Sequence, residues 1–331
     1  MRLRSKTGSH PFITMPSIAG FLSRYFNHEK PKPPPITTGT ASILLVIYTL
    51  VYVIPFYLSS RTRPSRTLSR DAPSVIRARI TSVTLTCMFC SICTFLVLTS
   101  QGHATRPDAV HSMGYWPLGL AETGKTLFLT AILFAGPLYE TFVVHGVWRE
   151  WLSLRPVTEL FSEWTMWRNI IAGPFTEELL FRSASVPLML LAQTSVTKII
   201  FLTPVIFGLA HLHHFYEFRV SHPHVPVSAS LLRSLLQLTY TSLFGAYATF
   251  LFLRTGSLLA IFVVHAFCNC MGLPRFWGRV EPINENGEPE VKASIAWSVV
   301  YYALLFVGAF LWWKNLGALT ESINELVPVK I

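Results

Sequence analysis

Glu177 and Glu178 stand side by side in a segment otherwise suited to hydrocarbon, Gly173-Pro174-Phe175-Thr176-Glu177-Glu178-Leu179-Leu180-Phe181-Arg182. Ile170-Ile171-Ala172 precede it, and Val186-Pro187-Leu188-Met189-Leu190-Leu191 follow. A charged side chain at the centre of a spanning helix costs about 2.5–3.5 kcal/mol on insertion scales, so an ionisable group kept there marks a functional site. On a helix, residues four apart stack, so Glu178 and Arg182 can pair and satisfy each other's charge. Glu177 lies about 100° further round the helix and is left for chemistry. A carboxylate sheltered from bulk water is a candidate general base.

Two further groups stand on apolar helices. His211 ends the run Phe207-Gly208-Leu209-Ala210-His211, on the same face as Phe207. His213 and His214 follow toward a loop and read as interfacial histidines. His265 and Asn269, four apart in Val263-Val264-His265-Ala266-Phe267-Cys268-Asn269, project from one helix face. Two convergent donors in a low-dielectric site are what an oxyanion hole requires. Taken singly, each group has a plain structural explanation: a packing triad, a core histidine, an interhelical hydrogen-bond clip. Taken together, acid, imidazole and amide point to activation of water beside an oxyanion trap, the chemistry of acyl-bond hydrolysis. No HExxH or GxSxG signature competes. A zinc set of Glu177, His211 and His265 is the alternative, because two histidines and a glutamate form a known catalytic ligand set. Asn269 adds little to zinc and much to an oxyanion hole, which favours the metal-free form.

The elements that must position these groups follow from composition. The chain has 331 residues, 51% hydrophobic and 13% charged, against about 25% charged in soluble domains. Mean hydropathy is +0.44. An all-α, polytopic integral membrane protein is expected, since the alternating strands of a barrel are missing. Runs near the 20 residues a span needs fall at 40–58, 81–100, 123–146, 166–192, 197–214, 229–253, 257–273 and 294–314, about eight transmembrane helices. Gly136-Pro137 and Gly173-Pro174 interrupt the third and fourth. Residues 1–39 form a basic, Pro-rich tail with no apolar signal-peptide core, and 40–331 a single membrane domain. Loops 59–80, 147–168, 215–228 and 274–293 carry 13 lysines and arginines against six on the opposite side, to which the tail adds six more. By the positive-inside rule the first set is cytosolic, and the basic stretch 61–79 reads as a topology determinant. That orientation brings Glu177, His211, His265 and Asn269 to one depth on the cytosolic side, where a conical polar cavity open to that leaflet is expected. The net charge of +10 suits an anionic membrane surface better than nucleic acid. Cys87, Cys90 and Cys93 lie within an apolar span with no accompanying histidine, and read with Cys268 and Cys270 as packing residues.

The ordered motifs EExxxR (Glu177 to Arg182), FxxxH (Phe207 to His211) and HxxxN (His265 to Asn269) resemble the type II CAAX prenyl endopeptidases, the Ras-converting group. The resemblance covers residues 120–273. Gly136-Pro137-Leu138-Tyr139-Glu140 and Arg168-Asn169 look similar to the eukaryotic branch. It implies a multi-pass protease of the endoplasmic reticulum membrane, its active site facing the cytosol, that removes the last three residues of prenylated CaaX proteins such as Ras-type GTPases. It further implies Glu177 as the water-activating group with His211 as its partner, His265 and Asn269 as the oxyanion pair, and Glu178 and Arg182 in support, with no cofactor unless zinc is bound. Farnesylated or geranylgeranylated CaaX proteins and membrane lipids are the expected partners. A transporter, in which glutamates and histidines relay protons, or a non-proteolytic relative is the competing reading; a transporter predicts polar groups at several depths and an internal repeat.

Overall fold

Thr37 opens the first helix by accepting the Thr40 N–H on its hydroxyl, a capping contact that satisfies one of the orphan donors of a helix start. The computed structural model describes residues 33–65, 68–283 and 294–329; residues 1–32 of the basic tail lie outside them. Helix α1 (Thr38–Val53) continues through Pro55–Leu58 as an apolar stretch. Helix α2 (Pro73–Ser100) starts on a proline, where the missing N–H would have had no partner. Helix α3 (Leu120–Leu133) turns by 81° into Ala135–Val144 at the Gly136-Pro137 step. Gly136 is needed there, since a Cβ would sit 3.0 Å from the Tyr301 carbonyl.

The short helix α4 (Arg155–Ser162) is preceded by a left-handed Leu154. Leu152, Leu154 and Phe161 stand exposed here beside Trp148 and Trp151.

The central segment is not one continuous helix. A wide π turn at Arg168–Ala172 leads into α5 (Gly173–Glu178), a second at Leu179–Ala184 into α6 (Val186–Leu191). Pro174 and Pro187 explain the pattern. Each lacks the N–H owed to the carbonyl four residues back, Ile170 and Ser183, and both carbonyls fall inside the wide turns. Such turns concentrate at functional sites. From Leu180 to Met189 every residue is buried. The segment's apolar character is therefore met by protein, with α2 and the later helix Leu258–Met271 packed against it.

Helix α7 (Val196–Ala210) breaks at His211-Leu212 and resumes as α8 (His213–Ser221). It packs along α9 (Val227–Thr255) in the most extensive helix pairing of the molecule. Two glycines allow the approach: a Cβ on Gly208 would meet Ser242 Oγ at 2.6 Å, and one on Gly245 would meet Pro204 at 2.8 Å and Arg182 Nη2 at 3.0 Å. Small residues at such crossings are how membrane helices gain contact without a hydrophobic drive. Helix α10 (Leu258–Met271) is capped by Ser257, which accepts the Ala260 N–H, and α11 (Ala296–Thr320) lies against α3.

Helices account for the regular structure of the described residues, and the chain is an all-α polytopic membrane protein. Five helices there have the length and apolarity to cross a bilayer: Thr38–Leu58, Pro73–Ser100, Val196–Ser221, Val227–Thr255 and Ala296–Thr320. The bent pair Leu120–Leu133 and Ala135–Val144 makes a sixth if it is one span. The expected spans at 166–192 and 257–273 take other forms, the first broken by its prolines and the second, α10, only 14 residues long. Cys87 and Cys90 are buried in the hydrophobic core, and the Cys87 thiol also donates to the Thr176 carbonyl at 3.2 Å.

Candidate active site

Helix α5 places two carboxylates on different faces. Glu178 turns into the bundle and is fully buried, with one oxygen 3.0 Å from Arg182 Nη1, which is equally buried, as the four-residue spacing predicts. The guanidinium lies over Phe207, 4.6 Å from the ring centre, and 6.0 Å from that of Phe244. Cation–π contact of this kind is strongest where water is excluded. This gives Phe207 of the FxxxH motif a second duty, since its ring also meets His211 edge-on at 4.7 Å between centroids.

His265, on α10, joins the two glutamates. Its Nδ1–H donates to Glu178 Oε1 at 2.7 Å, and its Nε2 stands 3.8 Å from Glu177 Oε2. Sequence spacing paired His265 with Asn269; the structure adds a carboxylate on each side of the ring, partners 87 and 88 residues away in the chain. Phe244 closes one face of the imidazole, 4.5 Å between centroids. Glu177 keeps 23% of its side chain exposed, against none for Glu178. A 3.8 Å separation is too long for a hydrogen bond, yet an oxygen atom set to one side of the line joining the two groups could lie about 2.8 Å from each.

His211 ends α7, where its Nδ1–H donates to the Phe207 carbonyl at 2.9 Å. In the neutral ring this leaves Nε2 as an acceptor. Asn269 sits at the exposed end of α10, and its amide donates one hydrogen to the Asn169 carbonyl at 2.9 Å. An asparagine amide carries two N–H groups, so one remains. Glu177, His211 and Asn269 all line two adjoining clefts, of about 870 and about 1800 Å³ counting space open to solvent, and share Asn169 and His214 as further wall.

Several participants were not visible as such in the sequence. Asn169 holds Asn269 through its backbone, which no side-chain pattern reveals. Tyr52 donates to or accepts from Thr176 at 3.3 Å across α1 and α5. His214 is fixed by Glu217 at 3.0 Å, and Glu217 is gripped by Arg79 at 2.6 Å and Arg70 at 3.2 Å.

These positions bear on the zinc alternative. Among the described residues the one triad of metal-capable donors within 4.8 Å of one another is His213, His214 and Glu217; Glu177, His211 and His265 do not converge in this way. Glu217 is already committed to two guanidiniums, which is the environment of an ion-pair anchor. The Glu177, His211 and His265 donors thus do not fit one ion as they stand.

Fold and site together define a class: a polytopic helical membrane protein with an acid–imidazole–amide centre enclosed by its own helices. Comparison with known proteins narrows it. Residues 159–271 match the family profile described as type II CAAX prenyl endopeptidase Rce1-like. The chain is 36% identical over 283 residues to the probable CAAX prenyl protease 2 of Schizosaccharomyces pombe, an alignment covering 86% of this chain and 94% of that one. It is 40% identical over 195 residues to CAAX prenyl protease 2 of Arabidopsis thaliana, covering 54% and 60%. It is 30% identical over 283 residues to the Homo sapiens protein of that name, covering 81% and 84%. No solved structure matches the chain. The chain belongs to the type II CAAX prenyl endopeptidase family.

Proposed function

We propose that this protein is the endopeptidase that releases the last three residues from prenylated CaaX proteins, acting from the endoplasmic reticulum membrane with its site open to the cytosol. The carrying observation is the placing of Glu177 and His265 within 3.8 Å of each other, in a cleft shared with His211 and Asn269. Glu177 takes a proton from a water molecule, with the His211 Nε2 lone pair orienting it. The water oxygen adds to the carbonyl carbon of the prenylated cysteine. The oxyanion so formed accepts hydrogen bonds from the free Asn269 amide hydrogen and from Nε2–H of His265 in the form of the ring that carries a proton on both nitrogens, in a site where preorganised donors act against a low dielectric. The carbon–nitrogen bond then breaks, the leaving amine takes the proton carried by Glu177, and a tripeptide and a prenylcysteine carboxylate result. Glu178 does not meet the substrate in this scheme. It positions His265 through Nδ1 and is itself balanced by Arg182.

The reaction needs no metal in this reading, since Glu177, His211 and His265 are not among the converging donor sets of the described residues. The chain crosses the bilayer about eight times, the proline-broken central segment and short α10 each completing a crossing inside a protein surround. A conical cavity opening to the cytosolic leaflet then admits lipid from the bilayer and peptide from water. Two features support that orientation: the arginine-rich loops assigned to the cytosol by the positive-inside rule, and the presence of Arg70, Arg79 and Arg168 from those loops in the cleft that holds Glu177. A prenyl chain contributes about 0.8 kcal/mol of membrane affinity per buried CH₂, so the substrate is already held at that leaflet.

The decisive assay follows tripeptide release from a farnesylated CaaX peptide by purified protein, with and without a chelator. Release unaffected by the chelator is expected. Full inhibition reversed by added zinc would replace the metal-free mechanism, and absence of any release would remove the peptidase reading.

A further inference from the structure

The two clefts that meet at Glu177 differ in chemistry. The larger is lined by Leu133, Phe134, Leu243, Phe244 and Trp312, an apolar wall fit for an isoprenoid. The smaller carries three guanidiniums, Arg70, Arg79 and Arg168. They come from three separate stretches: the loop before α2, α2 itself, and the wide turn before α5. Two carboxylates answer them. Glu217 takes Arg79 and Arg70, and Asp71 takes Arg168 at 2.7 Å. Three guanidiniums thus share two ion-paired carboxylates, and the further carboxylate lining this cleft is the reacting Glu177. Burial above all pulls Arg70 below its ordinary pKa; Glu217 opposes it, and the guanidiniums of Arg168 and Arg79 are near enough to lower it further. Like charges held together in a partly buried cleft are stable when an anion joins them, and guanidiniums bind carboxylates in paired, planar fashion.

Resting on the peptidase reading above, we propose that Arg70, Arg79 and Arg168 form the subsite for the free C-terminal carboxylate of the substrate. The bond to be cut then lies between two anchors, the lipid in the apolar cleft and the terminal carboxylate in the basic one. Three extended residues span roughly 10 Å, so a fixed cationic stop beyond Glu177 selects the bond three residues from the chain end. The arginines of the 61–79 stretch thereby act on substrate as well as on topology. Arg168 is the most direct reporter, because the Arg168 side chain also bonds Asn169 Oδ1 at 2.9 Å and Asn169 holds Asn269.

The test compares a farnesylated CaaX peptide ending in a free carboxylate with its C-terminal carboxamide, using the full chain in a zwitterionic detergent. The expected result is a kcat/KM for the acid about 10-fold or more above that for the amide, carried mainly by KM, the size of effect a lost charge-assisted hydrogen bond gives. Arg168→Gln should bring that ratio toward one and Arg168→Lys should retain part of it. Arg155→Gln, an exposed arginine paired only with Glu159 on α4, should leave it whole. Equal rates on acid and amide by the unmodified protein overturn the carboxylate subsite and leave the peptidase reading intact. So does a ratio that survives in Arg168→Gln. If the basic cleft instead takes a phosphate headgroup, acid and amide turn over equally while added phosphatidylglycerol changes both rates. Failure to cleave either peptide overturns the peptidase reading and the subsite with it.

Discussion

Two neighbouring glutamates divide labour by burial. Glu178 has no exposed side-chain surface and faces an equally buried Arg182; removing one partner of such a pair strands a charge and costs about 3–5 kcal/mol. Glu178→Gln is therefore expected to lower the thermal midpoint in detergent sharply and to reduce activity through the loosened His265. Glu177→Gln should leave the melting transition near that of the parent, because its carboxylate is partly open, while tripeptide release falls at least 10²-fold, the usual scale for a lost general base. Equal destabilisation by both would contradict the assignment. Asn269→Ala is expected to reduce kcat by 10²–10³-fold, as loss of an oxyanion donor does, and unchanged turnover would take Asn269 out of the site. The glutamate–arginine pair was legible from its four-residue spacing. The bridging of His265 between both carboxylates was not, since spacing along one helix carries no information about which distant segment will face it.

At the scale of elements, the sequence foretold apolar runs well and their continuity poorly. Residues 166–192 read as one span, because hydropathy counts side chains and ignores missing N–H donors. Pro174 and Pro187 break the ladder, and the wide turns that result set Glu177 and Glu178 on a short rigid piece between two of them. The crossing of α7 and α9 is sensitive to volume for a related reason. Gly245 lies under Pro204 and beside Arg182, and Gly245→Ala should destabilise the bundle by about 1–3 kcal/mol, the typical cost of overpacking. The same substitution should impair activity beyond that loss, because the displaced group is the partner of Glu178; thermal unfolding paired with kcat on one preparation checks both. Around α4, the exposed Trp148, Trp151 and Phe161 suit a helix lying in the headgroup layer, where aromatic rings collect. Lipids brominated near the headgroup should quench Trp151 fluorescence strongly, and an unquenched signal would place this element in water.

Over the whole molecule, composition was the surest guide. Few charges, long apolar runs and uneven loop arginines are enough to define a helical membrane protein, and three short ordered motifs are enough to bring the family into view. What they do not contain is the cleft, which is assembled from α1, α2 and the loop before it, α3, the first part of the central segment, α7, α9 and α10. Arginines that counted only as topology signals prove to line it. The same arrangement gives the salt dependence of the reaction its sign. Screening weakens a partly exposed cationic wall, so raising ionic strength from about 0.01 to 1 M should raise KM for a free-acid peptide and leave an amidated one nearly unmoved, which steady-state assays at fixed detergent would show.

The common wall between the two clefts, Asn169, Glu177, His211, His214 and Asn269, also dictates how the protein can be blocked. A compound lodged only among the aromatic rings competes with lipid tails and must outbid a membrane full of them. One that spans the partition, with a greasy end on one side and an acidic end on the other, displaces both halves of the natural ligand at once, and shortening the linker between those ends by a single bond should be felt as a steep fall in potency.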